Sequence, residues 1–269
     1  MVNVYALPIR KACHAIRLYR SHWYRRPRVS EGDATIRNAL NDVVERWPRW
    51  GFWKCFYWLR TQGYAWNHKR VWRIYTAMHL NLPRRKKKML YHRMKQPIEV
   101  PALPNHSWSL DFMHDTLSWG KRFRTLNVLD EGVRECLTIE IDTSLSAARV
   151  VRVLELISAW RGYPKQLRMD NGPELTSAVL VAWCISHQIQ MVYIQPGKPN
   201  QNAYIERFNR SFRHEVLNAH LFTSLEEVRE ITQAWMLDYN EQRPHQSLNH
   251  LTPHAFREKV TSEMSTLKW

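Results

Sequence analysis

The chain has 269 residues, enough for one large domain or two modest ones, and its 44% hydrophobic content can fill a core. A net charge of +16 points to a polyanionic partner, nucleic acid first, although composition alone leaves an acidic membrane surface open. No apolar run approaches the length of a membrane span, and the N-terminus lacks the charged-then-apolar plan of a signal peptide, so the expectation is a cytoplasmic, DNA-associated protein.

The charge is unevenly spread. Residues 1–100 hold 22 Lys and Arg against 5 Asp and Glu, which leaves 18 against 19 for the remainder. A region that grips phosphates is therefore expected to precede a near-neutral region with a different task. Cys13, Cys55, Cys136 and Cys184 are far apart and show no metal-finger spacing with the histidines, which suggests reduced, buried thiols.

In chain order, residues 8–26 alternate apolar and basic positions in a helix-compatible way, closed by the basic turn 25–28. A helix is expected from Asp33 to Arg46, ended by Trp47-Pro48, then a short one from Phe52 to Thr61. Gln62-Gly63 breaks the pattern, and Asn67 can cap a third helix to about Leu80. Three short helices with a tight turn suggest a helix-turn-helix module. On the third, Val71, Ile74, Tyr75 and Met78 share one side, while Lys69, Arg70 and Arg73 share the other and can face DNA or merely solvent. The run Arg84, Arg85, Lys86, Lys87 and Lys88 cannot join a core and reads as a linker that can also track a phosphate backbone.

After Pro97, Pro101 and Pro104 the periodicity changes. Trp108–His114, Phe123–Leu129 and Glu135–Ile141 read as three antiparallel strands, followed by a helix from Ser146 to Trp160 that Gly162 ends. A strand from Gln166 to Asp170, a helix from Glu174 to His187 and a strand from Gln190 to Gln195 complete a mixed five-stranded α/β sheet with helices. A helix from Pro199 or Asn200 to His220 carries an apolar stripe of Ile205, Phe208, Phe212 and Val216, with Glu206, Arg210 and Arg213 on an adjoining face. A last helix is expected from Leu225 to Tyr239.

Asp111 lies mid-strand among apolar neighbours, where a carboxylate costs free energy unless a metal or a partner offsets it. Asp115, four residues on, shares its face but sits beside the turn. Asp170 leaves a strand at Asn171-Gly172, which an ordinary turn would also explain. Glu206 follows after 35 intervening residues and alone reads as an exposed helical glutamate. Together the three are a candidate carboxylate site for hard divalent cations, which prefer oxygen ligands and support in-line phosphodiester displacement as a pair.

The motifs Pro48-Arg49-Trp50-Gly51, Asn67-His68-Lys69-Arg70-Val71, Trp108-Ser109-Leu110-Asp111-Phe112, Asp170-Asn171-Gly172-Pro173-Glu174, Gly197-Lys198-Pro199, Gln201-Asn202, Ile205-Glu206-Arg207-Phe208-Asn209 and Arg243-Pro244-His245 run through nearly the whole chain. In them the chain resembles the larger-frame (OrfB) transposases of IS-three family insertion sequences, within the retroviral-integrase-like superfamily. The 35-residue gap matches that family's D,D(35)E spacing, and Ala203 stands where many relatives have Gly. The resemblance implies a ribonuclease H-like catalytic domain preceded by an all-α helix-turn-helix DNA-binding region. It further implies that Asp111, Asp170 and Glu206 are catalytic and bind Mg²⁺ or Mn²⁺ as two ions, and that element ends are nicked and the freed 3′-hydroxyl joined to another phosphodiester.

The implied division is a basic helical segment over 1–30, the helix-turn-helix-like domain over 31–83, a basic, proline-rich linker over 84–104, the catalytic core over 105–260 and a tail over 261–269. Lys69, Arg70, Arg73, the five cations 84–88, Lys198, Arg210 and Arg213 are the candidate DNA contacts. The implied partners are double-stranded DNA, as terminal inverted repeats and target, a homo-oligomer assembled on it, and an upstream-frame product or fusion. Two other readings stay open: a non-catalytic DNA-binding product of the element, and a plain nuclease that cuts without joining.

Overall fold

The computed structural model describes residues 6–24, 32–83, 102–194 and 202–266. The linker cations 84–88, the basic turn 25–28 and Lys198 with its Gly-Lys-Pro motif lie outside the described residues.

Alternation along the strands sorts side chains to the two faces of one sheet. The strands are β1 (Ser107–Thr116), β2 (Arg122–Asp130), β3 (Glu135–Asp142), β4 (Gln166–Met169) and β5 (Gln190–Tyr193), in the order β3-β2-β1-β4-β5. The β1–β2 and β2–β3 pairs are antiparallel, and β1–β4 and β4–β5 are parallel. Trp108, Leu110, Leu126 and Val128 turn to one face. There they pack against Val150, Val153, Leu154 and Ile157 of one helix and Leu180, Trp183 and Cys184 of another. Met113, Phe123, Leu129 and Ile139 turn to the opposite face and meet Ile205, Phe208 and Phe212. Each face thus has its own helical cover, and Asp111 belongs to the second face because it is in step with Met113.

The helical module precedes the sheet. Two short helices, α1 (Ile9–Ala15) and α2 (Arg20–Trp23), replace the single pattern expected over 8–26. Arg17 takes a φ of 53°, its N–H closing on the His14 carbonyl and that of Leu18 on Cys13, which ends the first helix. Then come α3 (Gly32–Arg46), α4 (Phe52–Thr61) and α5 (His68–Ala77). The Asn67 side chain accepts from the Lys69 N–H and caps α5 as expected. Ile36, Leu40, Val43, Cys55, Leu59, Val71, Ile74 and Tyr75 form a separate core, with Trp47 stacked on Trp50 at 4.2 Å.

In the second half, α6 (Ala147–Arg161) starts at the Ser146 cap and stops at Gly162, whose φ of 83° suits glycine. The helix expected from Glu174 begins only at Ala178, as α7 (Ala178–Ser186). Residues 172–176 instead form a turn closed on the Gly172 carbonyl, and Ser177 caps the helix through the Leu180 N–H. Then come α8 (Ala203–Phe212), continued by a π turn over Arg213–Leu217, and α9 (Leu225–Glu241). A further helix, α10 (Pro253–Thr266), had no sequence assignment and runs unbroken past residue 260, where a tail was expected.

The helical module is docked on α9. Arg46 pairs with Asp238 at 2.9 Å, the Trp47 indole donates to the same carboxylate at 3.1 Å, and the Trp58 indole donates to Gln242 at 3.3 Å. Tyr57 stacks on His250 with ring centroids 3.5 Å apart. All four cysteines are buried and unpaired. Among the described residues no helix is long and apolar enough to cross a membrane.

Candidate active site

Three elements deliver the three carboxylates. In the parallel pairing Ser109 stands opposite Arg168, so two residues on, Asp111 and Asp170 leave neighbouring strands on the face that α8 covers. Asp111 is half-buried; Asp170 and Glu206 are exposed. One oxygen of Asp111 accepts the Phe112 N–H at 2.9 Å, and the other accepts the Asn209 amide at 2.6 Å. The carbonyl oxygen of Asn209 in turn accepts from the Asn127 amide at 2.6 Å. Asp170 closes a turn by accepting the Gly172 N–H at 3.0 Å, and a Cβ at position 172 would sit 3.0 Å from that same carboxylate oxygen, so glycine keeps the turn open.

Electrostatics ties the set together. Burial and then the charge of Asp170 push the Asp111 carboxyl up to about 6, with Glu206 adding to the shift and the Phe112 and Asn209 hydrogen bonds opposing it. Asp111 therefore senses both other carboxylates. Among the described residues no three His, Cys, Asp or Glu side chains converge closely enough to cage a metal ion unaided. The arrangement is an all-oxygen mouth suited to a hard cation that keeps waters and takes further oxygens from a phosphate.

Asp115, the possible rival of Asp111, is bound by Arg213 at 3.0 Å, and Arg213 also donates to the His114 carbonyl at 2.8 Å. Arg213 is thus held against β1. Arg210 is exposed on α8. In the helical module Arg70 and Arg73 both close on Asp33, each at 2.7 Å, while Lys69 is exposed. These positions place two of the three α5 cations on an internal carboxylate and leave Lys69 facing solvent.

Sequence reading missed Asn209, Asn127 and the Arg124–Glu174 ion pair. The signal for Asn209 was present: a polar residue three positions after Glu206 and next to the apolar stripe, one turn along the same helix. Asn209 is buried at 7% exposure. Arg124 holds Glu174 and lies over the Phe112 ring at 4.4 Å, and this hydrogen bond keeps the Glu174 carboxyl below its ordinary range. Nothing local in sequence links residues that far apart.

A mixed five-stranded sheet in the order β3-β2-β1-β4-β5, with helices packed on both faces, defines a ribonuclease H-like core. A chain of the simian T-cell lymphotropic virus intasome in complex with PP2A regulatory subunit B56 gamma shares this fold, with a TM-score of 0.53 at 18% identity over 72% of this chain and 67% of that one. The integrase core domain family matches residues 101–199 and, in a second form, 187–253, and the HTH-like domain family matches residues 31–88. The insertion element IS407 uncharacterized 31.7 kDa protein of Burkholderia multivorans is 38% identical over 250 residues, covering 93% of this chain and 90% of the relative. The transposase for insertion sequence element IS904 of Lactococcus lactis is 25% identical over 255 residues, covering 89% of this chain and all of the relative. The chain belongs to the integrase-core transposases of bacterial insertion elements, of the IS-three, OrfB type.

Proposed function

We propose that the protein nicks DNA at the ends of its insertion element and joins the freed 3′-hydroxyl to another phosphodiester, with Asp111, Asp170 and Glu206 as the catalytic carboxylates. The observation that carries this reading is placement: Asp111 lies on β1 and Asp170 just beyond its paired strand β4, Asn209 ties the helix that bears Glu206 to Asp111, and among the described residues none of the three carboxylates is ion-paired to a Lys or Arg. Uncompensated oxygen donors of this kind fit Mg²⁺ or Mn²⁺. Two such ions, when bound, supply an activated attacking oxygen and a steadied leaving oxygen for an in-line displacement.

The protein's own share is positioning. β1 is hydrogen-bonded on both sides and fixes Asp111, while Asn209 and the Phe112 N–H each take one lone pair on its oxygens and set the plane of the carboxylate. Gly172 lets Asp170 fold back at the strand end. Exposed Lys69 on α5 and Arg210 on α8 are the described cations best placed to meet phosphates, with the 84–88 run and Lys198 as further candidates. Arg70, Arg73 and Arg213 would contact DNA only while also holding their carboxylates. Double-stranded element ends and target DNA are the substrates, and a second copy on the other end is the partner.

The test is a labelled element-end duplex incubated with purified protein and Mg²⁺. Wild type is expected to release the cut strand and to form joined products, and Asp170→Asn or Glu206→Gln to do neither. Equal cleavage by wild type and either variant would remove the carboxylates from the chemistry, and cleavage without joined products would point to a simple nuclease.

A further inference from the structure

A second concavity lies across α8 from the carboxylates. On the 100° helical wheel Tyr204, Arg207, Phe208 and Ser211 form a face turned away from Glu206 and Asn209. That face, α4 of the helical module and the loop after α9 enclose a cavity of about 650 Å³. It exists only while the helical module is docked on the core.

Its lining is cationic. Lys54, Arg134, Arg207 and Arg243 reach it, together with His245 and His250. The carboxylate that pairs with this group is Glu215, and it is bound twice by Arg243. Among the described residues no carboxylate is ion-paired to Lys54, Arg134 or Arg207. Arg134 Nη1 and His245 Nε2 are buried with no hydrogen-bond partner. Burial, then Arg243, push the Lys54 amine down to about 7, with Arg207 adding to the shift and Glu215 opposing it. Burial and the same cations hold His245 well below its usual range. A half-buried cluster of cations with an unpartnered Arg134 N–H is costly unless an anion answers it.

Aromatic faces adjoin the cations. Arg134 lies over the Tyr204 ring at 3.5 Å, Tyr57 and His250 are stacked, and Trp53 beside them is 54% exposed. Rings next to phosphate-binding cations are the pairing that holds a nucleotide, phosphate on the charges and base on a π-face.

We propose that this pocket binds a phosphate-bearing nucleotide unit, supplied by a nucleic-acid strand passing α8 or by a free nucleotide. Occupation would clamp the helical module to the core through Lys54, so ligand and docking would reinforce one another.

The experiment uses the full chain in EDTA, so that strand cleavage plays no part. Inorganic phosphate, a deoxynucleoside monophosphate and a short single-stranded oligonucleotide are titrated, read by tryptophan fluorescence and calorimetry. Wild type is expected to bind the nucleotide probes, and Lys54→Met and Arg207→Gln each to weaken them about tenfold or more, while Lys259→Gln, a single-charge control on α10, leaves binding unchanged. Tighter binding of the oligonucleotide assigns the pocket to a strand, and tighter binding of the monophosphate assigns it to a free nucleotide. Arg207 is exposed, so its variant carries the test if Lys54→Met does not fold. The proposal is overturned if no phosphate probe binds, if both pocket variants bind as wild type does, or if the Lys259 control loses as much as they do.

Discussion

The Asn209 amide donates to Asp111 at 2.6 Å from a position one helical turn after Glu206. This contact fastens the helix that bears one carboxylate to the strand that bears another. Asn127 fixes which end of the Asn209 amide faces Asp111. Replacing Asn209 by Leu is expected to lower strand-cleavage activity about 10–100-fold, as loss of a group that orients a metal ligand does. The accompanying loss of stability is about 1–3 kcal/mol, from the buried polar partners left unmet. Single-turnover cleavage beside a denaturation curve separates the two effects, and unchanged activity would rule out the orienting role.

Lys69, Arg70 and Arg73 share one helix yet should respond differently. Lys69→Ala is expected to leave stability within about 0.5 kcal/mol and to lower the salt slope of DNA binding by about one. Asp33→Ala removes the carboxylate that both arginines hold and is expected to destabilise the module by about 1–3 kcal/mol, discounted because Arg73 is well exposed and Arg70 partly so. Filter binding across a salt series, with thermal melts, checks both. A Lys69 variant with an unaltered salt slope would remove that residue from the interface.

Glu215 gives a pH signature. Burial tends to raise its carboxyl, and the charge and hydrogen bonds of Arg243, with Lys54 and Trp235 helping, more than reverse this and leave it below its ordinary value. A depressed folded value means that the contribution is fully present above the unfolded glutamate value of about 4.3 and is lost as pH falls through the lower folded one. Thermal melts of wild type against Glu215→Gln should therefore differ by about 3 kcal/mol at neutral pH and converge as the medium is acidified below about pH 4. A difference that stays constant with pH would contradict the ion pair.

Divalent cations should stabilise the fold apart from any chemistry. Asp111 lies on β1 and Asp170 just beyond the adjacent β4, strands about 4.8 Å apart, and a cation held by them would relieve their mutual repulsion. Mg²⁺ at a hundredfold excess over its Kd is expected to add about 2.7 kcal/mol, seen as a raised Tm that Asp170→Asn largely abolishes. An equal rise in both proteins would place the ion elsewhere.

Much of the fold was legible because its signals are local. The Asn67 cap, the Gly162 stop and the strand periodicities of β1 to β3 each depend on residues within a few positions. The helix expected from Glu174 failed because Glu174 is drawn to Arg124 on β2, a contact between residues 50 apart in sequence. Asp111, Asp170 and Glu206 could be named as candidates from the motif around them, and the structure adds that Asn209 ties the helix bearing Glu206 to Asp111. Asn127 and the Lys54 pocket were not, since each depends on which elements stack after folding. The charge bias of the first 100 residues was visible, but the commitment of Arg70 and Arg73 to Asp33 was not.

The π turn over Arg213–Leu217 closes its hydrogen bonds across five residues, as the Asn218 N–H to the Arg213 carbonyl does at 2.8 Å. It inserts a phase offset into an otherwise continuous helix: Asn209 is timed to β1 before it, and within it Val216 and Leu217 are turned into the core. Deleting one residue there would act less as a shortening than as a rotation of about 100° of everything downstream. The carboxylate end would keep its aim while the end facing α9 lost its own.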